Sequence, residues 1–77
     1  MSYLTFPHIG TSSSGLTNVW DVKNTGQLII GTVSWYAPWR RYGYTSITAH
    51  IVLDATCMRE IADFCETQTR AHKLAKV

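Results

Sequence analysis

Apolar and polar residues alternate with a period of two in the middle of the chain and with a period near 3.6 at its C-terminal end. Those are the periods of a strand and of a helix. In Val19-Trp20-Asp21-Val22-Lys23, Trp20 and Val22 fall on one side, which predicts a first strand. Asn24-Thr25-Gly26 supplies a tight turn, because Asn and Gly tolerate the backbone it needs. Gln27 to Tyr36 is rich in β-branched residues and predicts a second strand. Its more consistently apolar side is Ile29, Gly31, Val33 and Trp35, expected toward the core. Leu28, Ile30, Thr32, Ser34 and Tyr36 take the other side. Gly31 inside a strand marks a bulge or a close approach by another element.

Pro38 cannot donate to a ladder and ends that strand. Arg40 to Thr45 returns antiparallel as a third strand. Tyr42 and Tyr44 then share one face, and Arg41 and Gly43 the other. Ser46 to Leu53 reads as a short further strand or an extended lead-in to a helix. Asp54 is the helix N-cap. Cys57, Ile61, Phe64, Cys65 and Gln68 form the apolar stripe, widened by Met58 and Ala62. Arg59, Glu60, Asp63 and Glu66 lie opposite. Glu66 and Arg70 make an i,i+4 pair, and Arg70, His72 and Lys73 complement the dipole at the helix end. The tail from about residue 72 is expected to fray. The sum is an α+β fold of two layers, an antiparallel three- to four-stranded meander sheet packed on one C-terminal helix.

Residues 1–18 read as an N-terminal arm, partly flexible around Thr11-Ser12-Ser13-Ser14-Gly15. Tyr3, Phe6 and Ile9 either dock on the domain or belong to a disordered arm. Residues 19–77 are then a single α+β domain. Chains of 77 residues have thin cores, so the bulky aromatics carry much of the burial.

Composition excludes more than it selects. The net charge of +2 is weak for a nucleic-acid binder. Cys57 and Cys65, about 12 Å apart along one helix, cannot pair with each other and read as small apolar residues on the stripe. His8, His50 and His72 are scattered without ligand spacing, so no metal or other cofactor is implied. His8 and His50 read as solvent-exposed or satisfied by local hydrogen bonds. No nucleophile stands beside an oriented base, which predicts a protein that is not an enzyme. No apolar run reaches the ~20 residues of a membrane span, and nothing resembles a signal peptide.

The candidate surface is the stretch around Pro38. Aromatic rings and Arg in one patch are the composition of interface hot spots, and Tyr36, Trp39, Arg40, Arg41 and Tyr42 are the expected partner-binding residues. Rings with Arg also suit nucleic acid. In that alternative the sheet enters the duplex DNA groove, and Lys23, Arg40, Arg41 and Lys73 or Lys76 meet phosphates. Low charge favours a protein partner. Self-association into a homodimer through an unpaired edge strand is a variant of that reading.

Gly31, Val33, Trp35, Tyr36, Pro38, Trp39, Arg40, Tyr42 and Tyr44, followed by Cys57-Met58-Arg59-Glu60-Ile61, resemble a type of small bacteriophage and prophage protein. Those chains carry a Gly, an aliphatic residue, Trp-Tyr, a Pro turn and Trp-Arg-x-Tyr before a helix opening Cys-Leu-x-x-Ile. The likeness covers roughly residues 19–68. It departs at Tyr44-Thr45, where many such chains have Phe-Pro, and at Met58, which takes the Leu position. The resemblance implies a phage origin and the host cytoplasm. Small phage proteins of this size often act on host machinery. The expected partner is therefore a host protein or protein–nucleic-acid complex, of defence or transcription machinery, engaged or inhibited by binding.

Overall fold

The computed structural model describes residues 3–47 and 51–75. Four strands, β1 (His8–Thr11), β2 (Asn18–Lys23), β3 (Ile29–Tyr36) and β4 (Arg41–Ser46), form one antiparallel sheet in the order β1-β2-β3-β4. A short 3-10 turn, Ala37–Trp39, joins β3 to β4, and α1 (Ala55–Ala75) packs across one face. The fold is the expected α+β meander on one C-terminal helix.

The fourth strand of the sheet comes from the chain's beginning. Thr5 exchanges two backbone hydrogen bonds with Lys23, both 2.9 Å, and the Asp21 amide donates to the Pro7 carbonyl at 3.0 Å. The segment read as an arm thus satisfies the outer edge of β2. It also places Leu4 in the core and stacks Phe6 on Phe64, with ring centroids 4.1 Å apart. Glu60 of α1 accepts the Tyr3 amide at 3.0 Å. The Ser-rich run read as a linker is the β1–β2 loop, closed by the Ser12 amide donating to the Thr17 carbonyl at 2.8 Å. At the other expected strand, Ser46 ends β4, Ile47 is an exposed bend, and 51–53 have no regular structure. Thr48, Ala49 and His50 lie outside the described residues.

The β2–β3 hairpin turns on Asn24, whose side-chain oxygen accepts the Gly26 and Leu28 amides at 2.9 and 3.1 Å. Just beyond it the ladder slips. Val22 opposes Gly31 but Lys23 opposes Ile29, so Ile30 is an extra residue. A bulge of one residue exchanges the two faces locally. Ile30 is therefore buried, 5% exposed, and Ile29 is 37% exposed, the reverse of the sequence expectation for that pair. From Gly31 onward the expected alternation holds, and Val33 is fully buried.

Gly31 is a site of close approach. A Cβ there would fall on the Thr45 carbonyl oxygen and on the ring of Tyr44. That ring is pinned by its hydroxyl, which donates to the Ile30 carbonyl at 2.9 Å.

The helix begins as read. The Asp54 carboxylate accepts the Cys57 amide at 2.9 Å, and this hydrogen bond is the main reason its pKa lies below the ordinary value. Ile61 is buried, and Cys57, Phe64 and Cys65 pack beside it. Met58 and Ala62 are exposed, so the apolar stripe is narrower than expected. The helix also continues through Ala75 rather than fraying at residue 72, because the His72 ring packs on Trp35 at 4.5 Å.

Gly31→Ala should destabilise the fold by about 1–3 kcal/mol in denaturant unfolding, since backbone and a tethered ring cannot both withdraw. A cost within error of zero would show that the sheet accommodates the methyl group. Asp54 has a folded pKa depressed below its unfolded value of ~3.9. Its contribution is present above the unfolded value and lost as pH falls through the folded one. Acidification below about pH 4 should therefore lower the Tm of the native chain more than that of Asp54→Asn. Parallel Tm–pH curves would contradict it.

Candidate recognition surface

The 3-10 turn after β3 builds one corner of the sheet. Pro38 fixes its first turn, and Arg40 closes it in the left-handed region at φ 53°, its amide donating to the Ala37 carbonyl at 3.1 Å. The turn throws Trp39 back over the end of β3. Tyr36 and Trp39 meet edge to face, with centroids 4.8 Å apart. Both remain open: Trp39 is 67% exposed and Tyr36 47%.

Register decides which face this corner occupies. Trp35 opposes Tyr42, and Tyr36 opposes Arg41. Directly opposed residues share a face. Trp35, Tyr42 and Val33 look toward α1, so Tyr36, Ser34 and Gly43 look away from it. Beside Tyr36 and Trp39 lies a hollow of about 260 Å³, floored by Ser34, Gly43 and Thr45. Nothing lies within 4 Å of the position a Cβ would take on Gly43, so the floor is open. The hollow has rings for walls and small residues for a base, and it offers mainly apolar contact.

Arg41 joins the same corner. Its Nε donates to the Trp39 carbonyl at 3.2 Å, which ties its stem to the turn and leaves the end of the guanidinium available. Arg40 and Arg41 are both exposed.

Tyr42 does not belong to this surface. It is 4% exposed and sits among the rings of Trp20 and Trp35, each 5.2 Å away. Its hydroxyl accepts the Asn18 amide at 3.1 Å, and its own amide donates to Thr69 Oγ1 at 2.9 Å. Strand alternation turns Tyr42 inward whenever Arg41 and Gly43 turn outward, so the expected partner-binding set loses this member.

The cations divide as well. Arg41, Arg70 and Lys73 line a groove of about 400 Å³ between the β4 edge and α1. Arg40 and Lys73 line a neighbouring hollow with His72. Lys23 stands at the far end of the sheet, opposite Ile29, about 23 Å along β3 from the Tyr36–Arg41 pair. Lys76 lies outside the described residues. Three of the expected phosphate contacts are thus gathered at one end, without Lys23. The sequence reading did not single out Thr69, Arg70 or Gly43 as members of this end. Helical spacing groups Glu66, Thr69, Arg70 and Lys73, but only the tertiary crossing sets them against β4.

Among the described residues no group of three or more His, Cys, Asp or Glu converges as a metal site would require. Both cysteines are free thiols, and their pKa values are pushed up, chiefly by burial, which disfavours the reactive thiolate. His8 pairs with Asn18 Oδ1 at 3.0 Å. Among the described residues no helix is long and apolar enough to cross a membrane. No family model, curated protein or solved structure matches the chain.

Tyr42→Phe tests the inward assignment. It should cost about 1–3 kcal/mol, since it leaves the Asn18 amide without its acceptor, and should leave the Tyr36–Trp39 corner unchanged. The stability is read by urea unfolding and the corner by the fluorescence of Trp39. An unchanged urea midpoint would show that this hydrogen bond contributes nothing.

Proposed function

We propose that the protein is a non-enzymatic binding module that engages a protein partner through the Tyr36–Trp39 corner, with Arg40 and Arg41 at its rim. The observation that carries this reading is Trp39 itself: a ring two-thirds exposed, braced edge-on by Tyr36, on the sheet face opposite α1. Rigid aromatics beside Arg are the groups that dominate binding energy at interfaces. A domain with so thin a core gains nothing in stability from leaving such a ring in water. The resemblance noted in the sequence supports a partner in a bacterial host's cytoplasm, with inhibition of a host complex as the outcome of binding.

Duplex DNA is the second reading, favoured by the gathering of Arg40, Arg41, Arg70 and Lys73 at one end. It is weakened by Lys23 standing at the other end and by Asp21 on the open face.

Immobilised protein should retain one dominant protein from bacterial host lysate. The double variant Tyr36→Ser with Trp39→Ala should keep the native Tm and weaken that binding by at least about 2 kcal/mol, roughly thirty-fold. A native chain that retains no protein would remove this reading. Retention of duplex DNA at about 50 mM salt, lost in Arg40→Ala with Arg41→Ala, would replace it with the second.

A further inference from the structure

We infer that the groove between the β4 edge and the C-terminal half of α1 is a second contact site, which takes an extended acidic segment of the partner protein. The inference rests on the preceding reading that the partner is a protein. One wall of the groove is Arg41, and the other is Glu66, Thr69, Arg70 and Lys73. Three cationic residues and one acidic residue therefore line it.

The donors are arranged for a carboxylate. Arg41 is held through Nε by the Trp39 carbonyl, so its outer nitrogens remain in a fixed fork. Thr69 Oγ1 already accepts the Tyr42 amide at 2.9 Å, which leaves its hydroxyl proton free to be donated into the groove. Arg70 and Lys73, three residues apart on α1, extend the same cationic row.

Two features favour an extended acidic peptide over nucleic acid. First, β4 is a terminal strand of the sheet. The Tyr42 amide points away from β3, to Thr69, and in an antiparallel ladder the outward direction recurs two residues on. Thr69 takes that edge at Tyr42, and Tyr44 turns its amide and carbonyl to the same side beyond it, where the end of an extended segment would pair. Second, the groove has no exposed ring for a base to stack on. The Tyr42 ring is packed into the core, while Tyr36 and Trp39 face the other hollow.

Glu66 gives the proposal a sign of its own. It is the one acid in the groove, so its removal should strengthen binding where removal of a cation weakens it. The test is a nuclear magnetic resonance titration of the native chain at about 20 mM salt with a capped alternating Glu-Thr hexapeptide. The expected result is saturable shifts of the Arg41 and Arg70 Nε–H and Tyr44 amide signals. Arg41→Gln and Arg70→Gln should each weaken binding about two- to five-fold, and Glu66→Gln should tighten it about two-fold. A hexathymidylate should bind more weakly than the peptide. Absent or non-saturable shifts, no response to Arg70→Gln and Glu66→Gln, or tighter binding of the hexathymidylate would each overturn the inference. If the peptide fails while the Tyr36/Trp39 variant still loses a captured protein, the groove inference falls and the corner reading stands. If the peptide binds as described and nothing is captured, the corner reading falls instead.

Discussion

Tyr42 is where the three parts of the domain are joined. Its hydroxyl accepts a hydrogen bond from the start of β2, its amide is held by Thr69 of α1, and its ring is packed edge-on by Trp20 and Trp35. A buried phenol and a strand-edge amide both need partners, and each finds one on a different element. The position of α1 along the sheet follows from this. With Thr69 fixed at β4, the helix passes Trp20 at Phe64 and reaches Trp35 at His72. The Phe64 ring then meets Phe6, which draws the N-terminal segment onto β2. Among the described residues seven apolar side chains, with Leu4 at one end and Ile61 on the helix, form the interior that these ring contacts close.

Once Tyr42 points inward, the outer surface is no longer free to vary. Alternation sends Arg41 and Gly43 the other way and puts Tyr36 beside Arg41. The turn between them is too short to shield Trp39, since it has three residues and Arg40 in the left-handed region closes it. The aromatic corner is thus a consequence of how the core is tied. The same amide that anchors the helix brings Arg70 and Lys73 against the edge of β4. The two proposed contact sites share Arg41 and the strand that carries it.

What the sequence revealed followed from local chemistry. Trp20 and Val22 alternate with polar neighbours, Pro38 forbids a ladder bond, Asp54 has the capping geometry, and Gly31 sits where only hydrogen fits. Each of these depends on a few neighbouring residues. What it concealed depended on distant ones. The bulge that buries Ile30 in place of Ile29 reflects the register between β2 and β3, and both residues are aliphatic, so no polar residue betrays the slip. β1 carries Gly10 and little apolar alternation, because it contributes backbone to the edge of β2 more than side chains to the core. Tyr42 looked like part of the surface because Arg40 and Arg41 precede it. The face assignment that puts it with Tyr44 already contained the correction.

The division of charge follows from the same geometry. A helix ends with partial negative charge, which favours Arg70, His72 and Lys73 there on stability grounds alone. That explanation covers α1 and stops at it. Arg40 closes the turn and Arg41 opens β4, where the helix end does not require them, and they still line hollows that Lys73 also lines. Placing like charges together carries a repulsive cost. Lys23, at the opposite end, shows that the cations are not spread evenly over the sheet. On the groove reading proposed above, an acidic segment would offset that repulsion, and a net charge of +2 is small for meeting a polyanion.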